Sequence, residues 1–106
     1  MTETFKVETF VPEEAFEKIR DELYAKGFGK IGNYENCLSW FKVNSSWKPV
    51  AGADPYQGTV GKTEFAEEIK IELRCDKTEL SEVVKTIKTN HPYEEVCINV
   101  MKIYEV

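Results

Sequence analysis

The sequence predicts an α+β domain in which a strand–helix–strand unit occurs twice, and three observations carry that prediction. Segments alternating between apolar and polar residues flank segments whose apolar residues recur at helical spacing. Lys6-Val7-Glu8 recurs as Lys70-Ile71-Glu72, and the same offset carries Phe16 to Leu80, Ile19 to Val83 and Leu23 to Ile87. At 106 residues, 42% of them hydrophobic, the chain has room for a single core that both copies share, so residues 1–106 form one domain.

In the first copy, Thr4 to Val11 alternates, with Phe5, Val7, Thr9 and Val11 on one face and Lys6 and Glu8 on the other. This is a strand with one face buried. Pro12 suits the opening of a helix, where its missing N–H has no intrahelical acceptor, and Glu13 and Glu14 suit the positive end of the helix dipole. Phe16, Ile19, Leu23 and Tyr24 form the apolar stripe, and Gly27 supplies a left-handed stop. A second strand follows over about Cys37 to Val43. The second copy opens with a strand over Glu68 to Cys75 that places Ile69, Ile71, Leu73 and Cys75 on one face. Asp76 or Thr78 caps the next helix, whose stripe is Leu80, Val83, Val84 and Ile87. That helix ends by His91, because Pro92 disfavours helical geometry in the residue before it. The last strand covers Glu95 to Tyr104.

The order is therefore βαββαβ, a ferredoxin-like sandwich of four antiparallel strands with both helices on one face. Its last strand is apolar on both sides, with Val96, Ile98 and Val100 on one and Cys97, Met101 and Ile103 on the other. A sheet covered by helices on one face should be polar on the other, so this second apolar face predicts self-association, unless long loop residues fold back over it. The long central loop, about residues 44–62, carries Trp47, Pro49, Gly52, Pro55, Tyr56, Gly58 and Gly61. Its glycines and prolines point to defined turns, and loops of such length in small domains often carry function.

Composition excludes several classes. Fourteen basic and nineteen acidic residues leave a formal charge of −5, with the signs interspersed, so no basic stripe exists to track a nucleic acid. No apolar run approaches the ~20 residues needed to cross a bilayer, and the first residues do not resemble a secretion signal. Cys37, Cys75 and Cys97 are an odd set without CxxC spacing, so they read as reduced, buried thiols. Together these features predict a cytoplasmic protein with no membrane or nucleic-acid partner.

His91 is the lone histidine, which excludes a histidine-based triad or a multi-histidine metal site within one chain. Two readings of it stand. In one, its imidazole binds the last carbonyls of the preceding helix. In the other, His91 and Glu94 serve as metal ligands together with cysteines of neighbouring subunits. The acidic series Glu64, Glu67, Glu68 and Glu72 reads as cross-strand pairing with lysines, since no base or nucleophile lies near it in sequence. The glycines of Gly27 to Gly32 follow a helix, whereas phosphate-cradling loops precede one. Trp47 and Tyr56 read equally as lids on the core or as anchors for a partner or a small molecule. No catalytic residue and no cofactor is predicted.

Several motifs together carry a resemblance. Ile31-Gly32-Asn33-Tyr34, Trp47-Lys48-Pro49, Gly52-Ala53-Asp54-Pro55-Tyr56 with Gly58, Val60-Gly61-Lys62 and His91-Pro92-Tyr93-Glu94-Glu95-Val96 run over essentially the whole chain. They resemble the domain inserted in YqfO-type members of the NIF-three-like family, which is similar in fold to CutA and to the trimeric PII signalling proteins. The resemblance implies a trimer and a regulatory, small-ligand-binding or protein-binding role without enzymatic activity. It places the family's two-metal site in flanking domains outside this sequence, so the hydrolase-like role attached to full-length members is not expected here. Two alternatives follow from it: a divalent-metal-binding protein in the manner of CutA, and a metal-dependent nucleotide hydrolase. Candidate ligand or interaction residues are Asn33, Tyr34, Trp47, Tyr56, His91, Tyr93 and Glu94. The segment Leu38-Ser39-Trp40 and the stretch from Val43 to Ser46 are less glycine-rich than the family pattern.

Overall fold

The computed structural model describes residues 3–105. The elements run β1 (Thr4–Val11), α1 (Glu13–Ala25), β2 (Leu38–Trp47), β3 (Glu64–Asp76), α2 (Lys77–Asn90) and β4 (Ile98–Ile103). The strands form one antiparallel sheet in the order β2-β3-β1-β4, with the βαββαβ connectivity expected from the two-fold repeat.

Register explains the burial. Val7, Thr9 and Val11 of β1 pair with Leu73, Ile71 and Ile69 of β3, and all six are buried on the helix-covered face. Phe16, Ile19 and Leu23 of α1 and Val83 and Ile87 of α2 close that core from above, while Tyr24, Leu80 and Val84 are half-buried at its margin. Pro12 takes the position just before α1, with Glu13 and Glu14 in the first turn. The carboxylate of Asp76 caps α2 by accepting from the Glu79 N–H, and Glu79 reaches back to the Asp76 N–H, a reciprocal capping box. Asp76 is thus the cap, and Thr78 donates to it.

The strand boundaries differ from the sequence reading in ways that shape the site. β2 continues through Asn44–Trp47, pairing Trp47 with Glu64. The connection is accordingly 48–63 rather than 44–62, and Trp47 belongs to a strand. β1 stops at Val11, opposite Ile69, so the five pairs from Val43↔Glu68 to Trp47↔Glu64 overshoot it. This two-stranded arm projects ~16 Å at strand rise. At the other end of the chain, β4 begins at Ile98 rather than Glu95: its pairing with β1 starts at Thr9↔Ile98, and the Cys97 carbonyl just before it accepts from the Thr9 hydroxyl at 2.9 Å.

The outer face of the sheet is mixed rather than uniformly apolar. Its centre holds charges: Lys6 pairs with Glu72 at 3.5 Å, Lys70 with Glu8 at 3.2 Å, and the Asn99 amide donates to Glu8. Asn99, Met101 and Ile103 are the β4 residues on this face, while Val100 shares the helix-facing side with Ile98. Apolar surface survives at the margins, where Phe41 and Met101 are exposed. Of the three cysteines only Cys75 is buried; Cys37 is half-buried and Cys97 is exposed.

Candidate functional site

The end of the sheet where β1 gives way to α1 holds a cleft of about 520 Å³. Three segments build it: the end of β2 with the 48–63 connection, Phe10 near the end of β1 with Glu68 of β3 just past the β1–β3 pairing, and the residues between α2 and β4. The connection is folded by its own backbone. Gly61 N–H donates to the Pro49 carbonyl at 2.8 Å and Ala53 N–H to that of Val50 at 3.0 Å. The Trp47 indole N–H donates to the Gln57 carbonyl at 3.0 Å, which returns the loop to the strand it left. Gly58 sits at a φ of 112° beside that indole, and a Cβ there would lie 3.4 Å from the indole nitrogen and from the Pro49 ring. A side chain would strain the backbone and crowd the aromatic wall.

Three rings meet at the cleft. Trp47 and Tyr56 each lie tilted against Tyr93, with centroids 6.2 and 5.8 Å away, within the range of favourable aromatic pairs. Tyr93 is held in turn by His91. The Tyr93 N–H donates to His91 Nδ1 at 3.1 Å, so Nδ1 is the acceptor and the protonated Nε2 donates to the Phe10 carbonyl at 2.7 Å. Burial pushes the His91 pKa below its ordinary value, outweighing the Phe10 contact and the Glu68 charge that raise it. The ring therefore binds the end of β1 rather than the last carbonyls of α2. With one nitrogen protonated and the other occupied, it offers no lone pair to a metal.

The Tyr93 hydroxyl donates to Glu68 Oε2 at 2.6 Å, and burial first, then this bond, holds the phenol well above its usual range. Glu68 is buried, 6% exposed. Tyr56 makes a similar bond to Glu14 at 2.7 Å, but in the open; that bond raises the phenol and lowers the carboxylate. Glu94 accepts the Asp54 N–H on both carboxylate oxygens at 3.1 Å, fastening the loop to the turn after α2.

Of the seven residues singled out in the sequence, the fold gathers five: Trp47, Tyr56, His91, Tyr93 and Glu94. Asn33 and Tyr34 lie elsewhere. They occupy the turn before β2, closed by the Ile31–Tyr34 backbone pair, and β2 carries the chain ~30 Å from there to Trp47. Tyr34 is exposed there, and its neighbour Asn33 is exposed as well. Sequence reasoning missed Phe10, Glu14, Glu68 and Cys97. Glu68 reads from the acidic series as a cross-strand partner of lysine, but among the described residues it makes no ion pair and meets Tyr93 instead; it and Phe10 enter the site through register. His91 and Glu94 do not form a metal-ligand pair, and among the described residues no group of three or more histidines, cysteines or acidic residues is placed to hold a metal.

No family model matches the chain. Among curated proteins, it is 37% identical over 98 residues to a "GTP cyclohydrolase 1 type 2 homolog" of Staphylococcus epidermidis, covering 92% of this chain and 27% of that protein. Among solved structures, a Bacillus cereus protein related to NIF3 superposes with a TM-score of 0.85 at 33% identity, over 98% of this chain and 26% of the other. The periplasmic divalent cation tolerance protein CutA of Archaeoglobus fulgidus gives 0.72 at 21% identity, covering 97% and 86%. The GlnK protein of B. subtilis, of the PII type, gives 0.66 at 25%, covering 96% and 86%. The chain thus spans about a quarter of the curated relatives it matches and most of a CutA or PII chain. It has the fold of the CutA and GlnK chains, and its sequence is similar over nearly its whole length to a segment of about a quarter of the NIF3-related protein and of the curated homologues.

Proposed function

We propose that this domain is a non-enzymatic regulatory module that self-associates and holds a small ligand in the cleft between the β2–β3 arm and the turn after α2. One observation carries this reading. The cleft is walled by aromatic rings, yet several of its polar side chains are engaged in positioning: His91 by two backbone groups, Glu94 by the Asp54 N–H, and the Tyr93 hydroxyl by one oxygen of Glu68. Such a site is suited to bind and orient a ligand, and among the described residues no serine or cysteine hydrogen-bonds to a histidine or carboxylate side chain that would activate it.

Self-association is supported by the apolar margins of the sheet and of the arm, where Phe41, Phe65, Val100 and Met101 are exposed, with a trimer expected from the resemblance to PII proteins. A reducing, cytoplasmic setting agrees with three free cysteines, and no helix among the described residues is long and apolar enough to cross a membrane. Light scattering on the eluting peak of a sizing column tests assembly: a trimer has a mass of about 37 kDa, three times 12.2 kDa. Calorimetry with a panel of nucleotides, amino acids and organic ammonium ions tests the cleft. A monomer at all accessible concentrations removes the self-association, and silence across the panel removes the ligand site.

A further inference from the structure

Buried carboxylates are ordinarily paired, because an isolated charge removed from water is costly. In this sheet the rule holds for Glu8, which faces Lys70 at 3.2 Å, and the half-buried Glu72 is likewise paired, with Lys6 at 3.5 Å. Glu68 departs from it. It is as buried as Glu8, yet among the described residues it makes no ion pair, and its hydrogen bond is the neutral one from Tyr93 to Oε2. That bond leaves Oε1 unengaged on the wall of the cleft. Lys48, the basic residue on the same lining, is exposed and makes no ion pair among the described residues. Glu94 and Glu95 add further negative charge at the mouth.

The rings beside Glu68 have the complementary property. The faces of Trp47, Tyr56 and Tyr93 are the negative ends of their quadrupoles, and a cation within ~6 Å of such faces is attracted, most strongly where water is excluded. An unpaired buried carboxylate and three clustered aromatic rings ask for the same occupant. We infer that the cleft binds an organic ammonium ion, whose charge Glu68 balances and whose alkyl groups Trp47, Tyr56 and Tyr93 surround. This rests on the reading of the cleft as a ligand site and names its ligand class. Anionic ligands such as nucleoside polyphosphates are disfavoured there by Glu68, Glu94 and Glu95.

Choline and its uncharged carbon isostere, dimethylbutanol, share shape and differ in charge, so the pair isolates the electrostatic part. Isothermal titration calorimetry of the full chain with choline, with the isostere and with ATP forms the test. Choline is expected to bind at least tenfold more tightly than the isostere, and ATP not at all. Glu68→Gln should remove most of that tenfold preference while leaving the isostere unchanged; Trp47→Leu should weaken choline several-fold even if the Glu68 variant fails to fold. Equal affinity for choline and the isostere, or binding of ATP alone, overturns the inference and leaves the cleft a ligand site of another kind. Silence with all three overturns it together with the reading of the cleft on which it rests. Loss of self-association in Glu68→Gln, with no choline binding in the wild type, also overturns it, since a neighbouring copy would then supply the cation.

Discussion

Replacing Tyr93 by Phe removes one oxygen and keeps the ring against Trp47, Tyr56 and His91. The lost oxygen is the donor to a carboxylate that is 6% exposed, at 2.6 Å. Hydrogen bonds to charged groups contribute ~1.5–3 kcal/mol, and the upper part of that range applies where the abandoned partner stays buried. At ~4–8 °C per kcal/mol for a domain of this size, the melting temperature should fall by on the order of 10 °C. Tyr56→Phe is the internal control. It breaks a bond of nearly equal length, 2.7 Å to Glu14, between groups that face solvent, and should leave the melt unchanged. A double-mutant cycle assigns the cause: in a Glu68→Leu background Tyr93→Phe should cost less than ~0.5 kcal/mol, because no charge remains to be orphaned. Urea unfolding followed by tryptophan fluorescence reads the wild type and all four variants. Equal losses for Tyr93→Phe and Tyr56→Phe, or an undiminished loss in the Glu68→Leu background, would refute the claim that burial of Glu68 is what gives the Tyr93 hydroxyl its weight.

Two further outcomes follow from titration and thiol chemistry. The folded-state pKa of His91 lies below its free value of 6.5, so the unfolded chain binds more protons over the window beneath 6.5. Stability is therefore full above about pH 6.5 and is lost as pH falls toward the depressed folded value, with a slope of at most ~1.4 kcal/mol per pH unit. His91→Gln should flatten the urea midpoint between about pH 7 and 5, and an identical slope in both proteins refutes the assignment. The Cys75 thiol is pushed up to about 11, by burial first and by Glu79 and Asp76 next, while Cys97 is exposed. A maleimide or disulfide reagent at about pH 8 should label Cys97 first in native protein and reach Cys75 only on unfolding. Equal native rates would contradict the packing of β3.

The helices and the core strands were legible because their periods are set by burial on one side. Phe16, Ile19 and Leu23 repeat at helical spacing since that stripe meets the sheet, and Val7, Thr9 and Val11 alternate since the facing β3 residues are covered. The arm was not legible. Asn44, Ser45 and Ser46 carry no apolar alternation, because beyond Val11 no third strand pairs with them, one face meets water and the other is only half-buried along the cleft, so pairing with Glu67, Ala66 and Phe65 alone defines the strand. Val96 looked like strand because it is apolar. It packs on the core from a turn, while backbone pairing starts only at Ile98. The site divides in the same manner. His91, Tyr93 and Glu94 are neighbours in sequence and could be read together, whereas Glu68 and Phe10 join them through register. Asn33 and Tyr34 belong to a local turn, whose motif-like spelling carries no information about which end of the sheet it occupies.

The length of β1 connects the fold to the chemistry of the cleft. On the outer face, cross-strand neighbours supply each interior carboxylate with a lysine: Lys70 serves Glu8 and Lys6 serves Glu72. Continuing the β1–β3 register by one residue past Val11↔Ile69 would set Pro12 opposite Glu68. Proline has no charge to offer and no N–H to extend the ladder, and here the chain turns into α1. Glu68 is therefore the first residue of β3 to lose its β1 partner while remaining covered, now by Tyr93 and the 48–63 connection. Had β1 run two residues further with a lysine in register, the carboxylate would be neutralised within the sheet and the aromatic rings would close over an inert pair. The early end of β1 instead leaves an acceptor at the base of an aromatic cleft, with its counter-charge to come from outside the strand pairing.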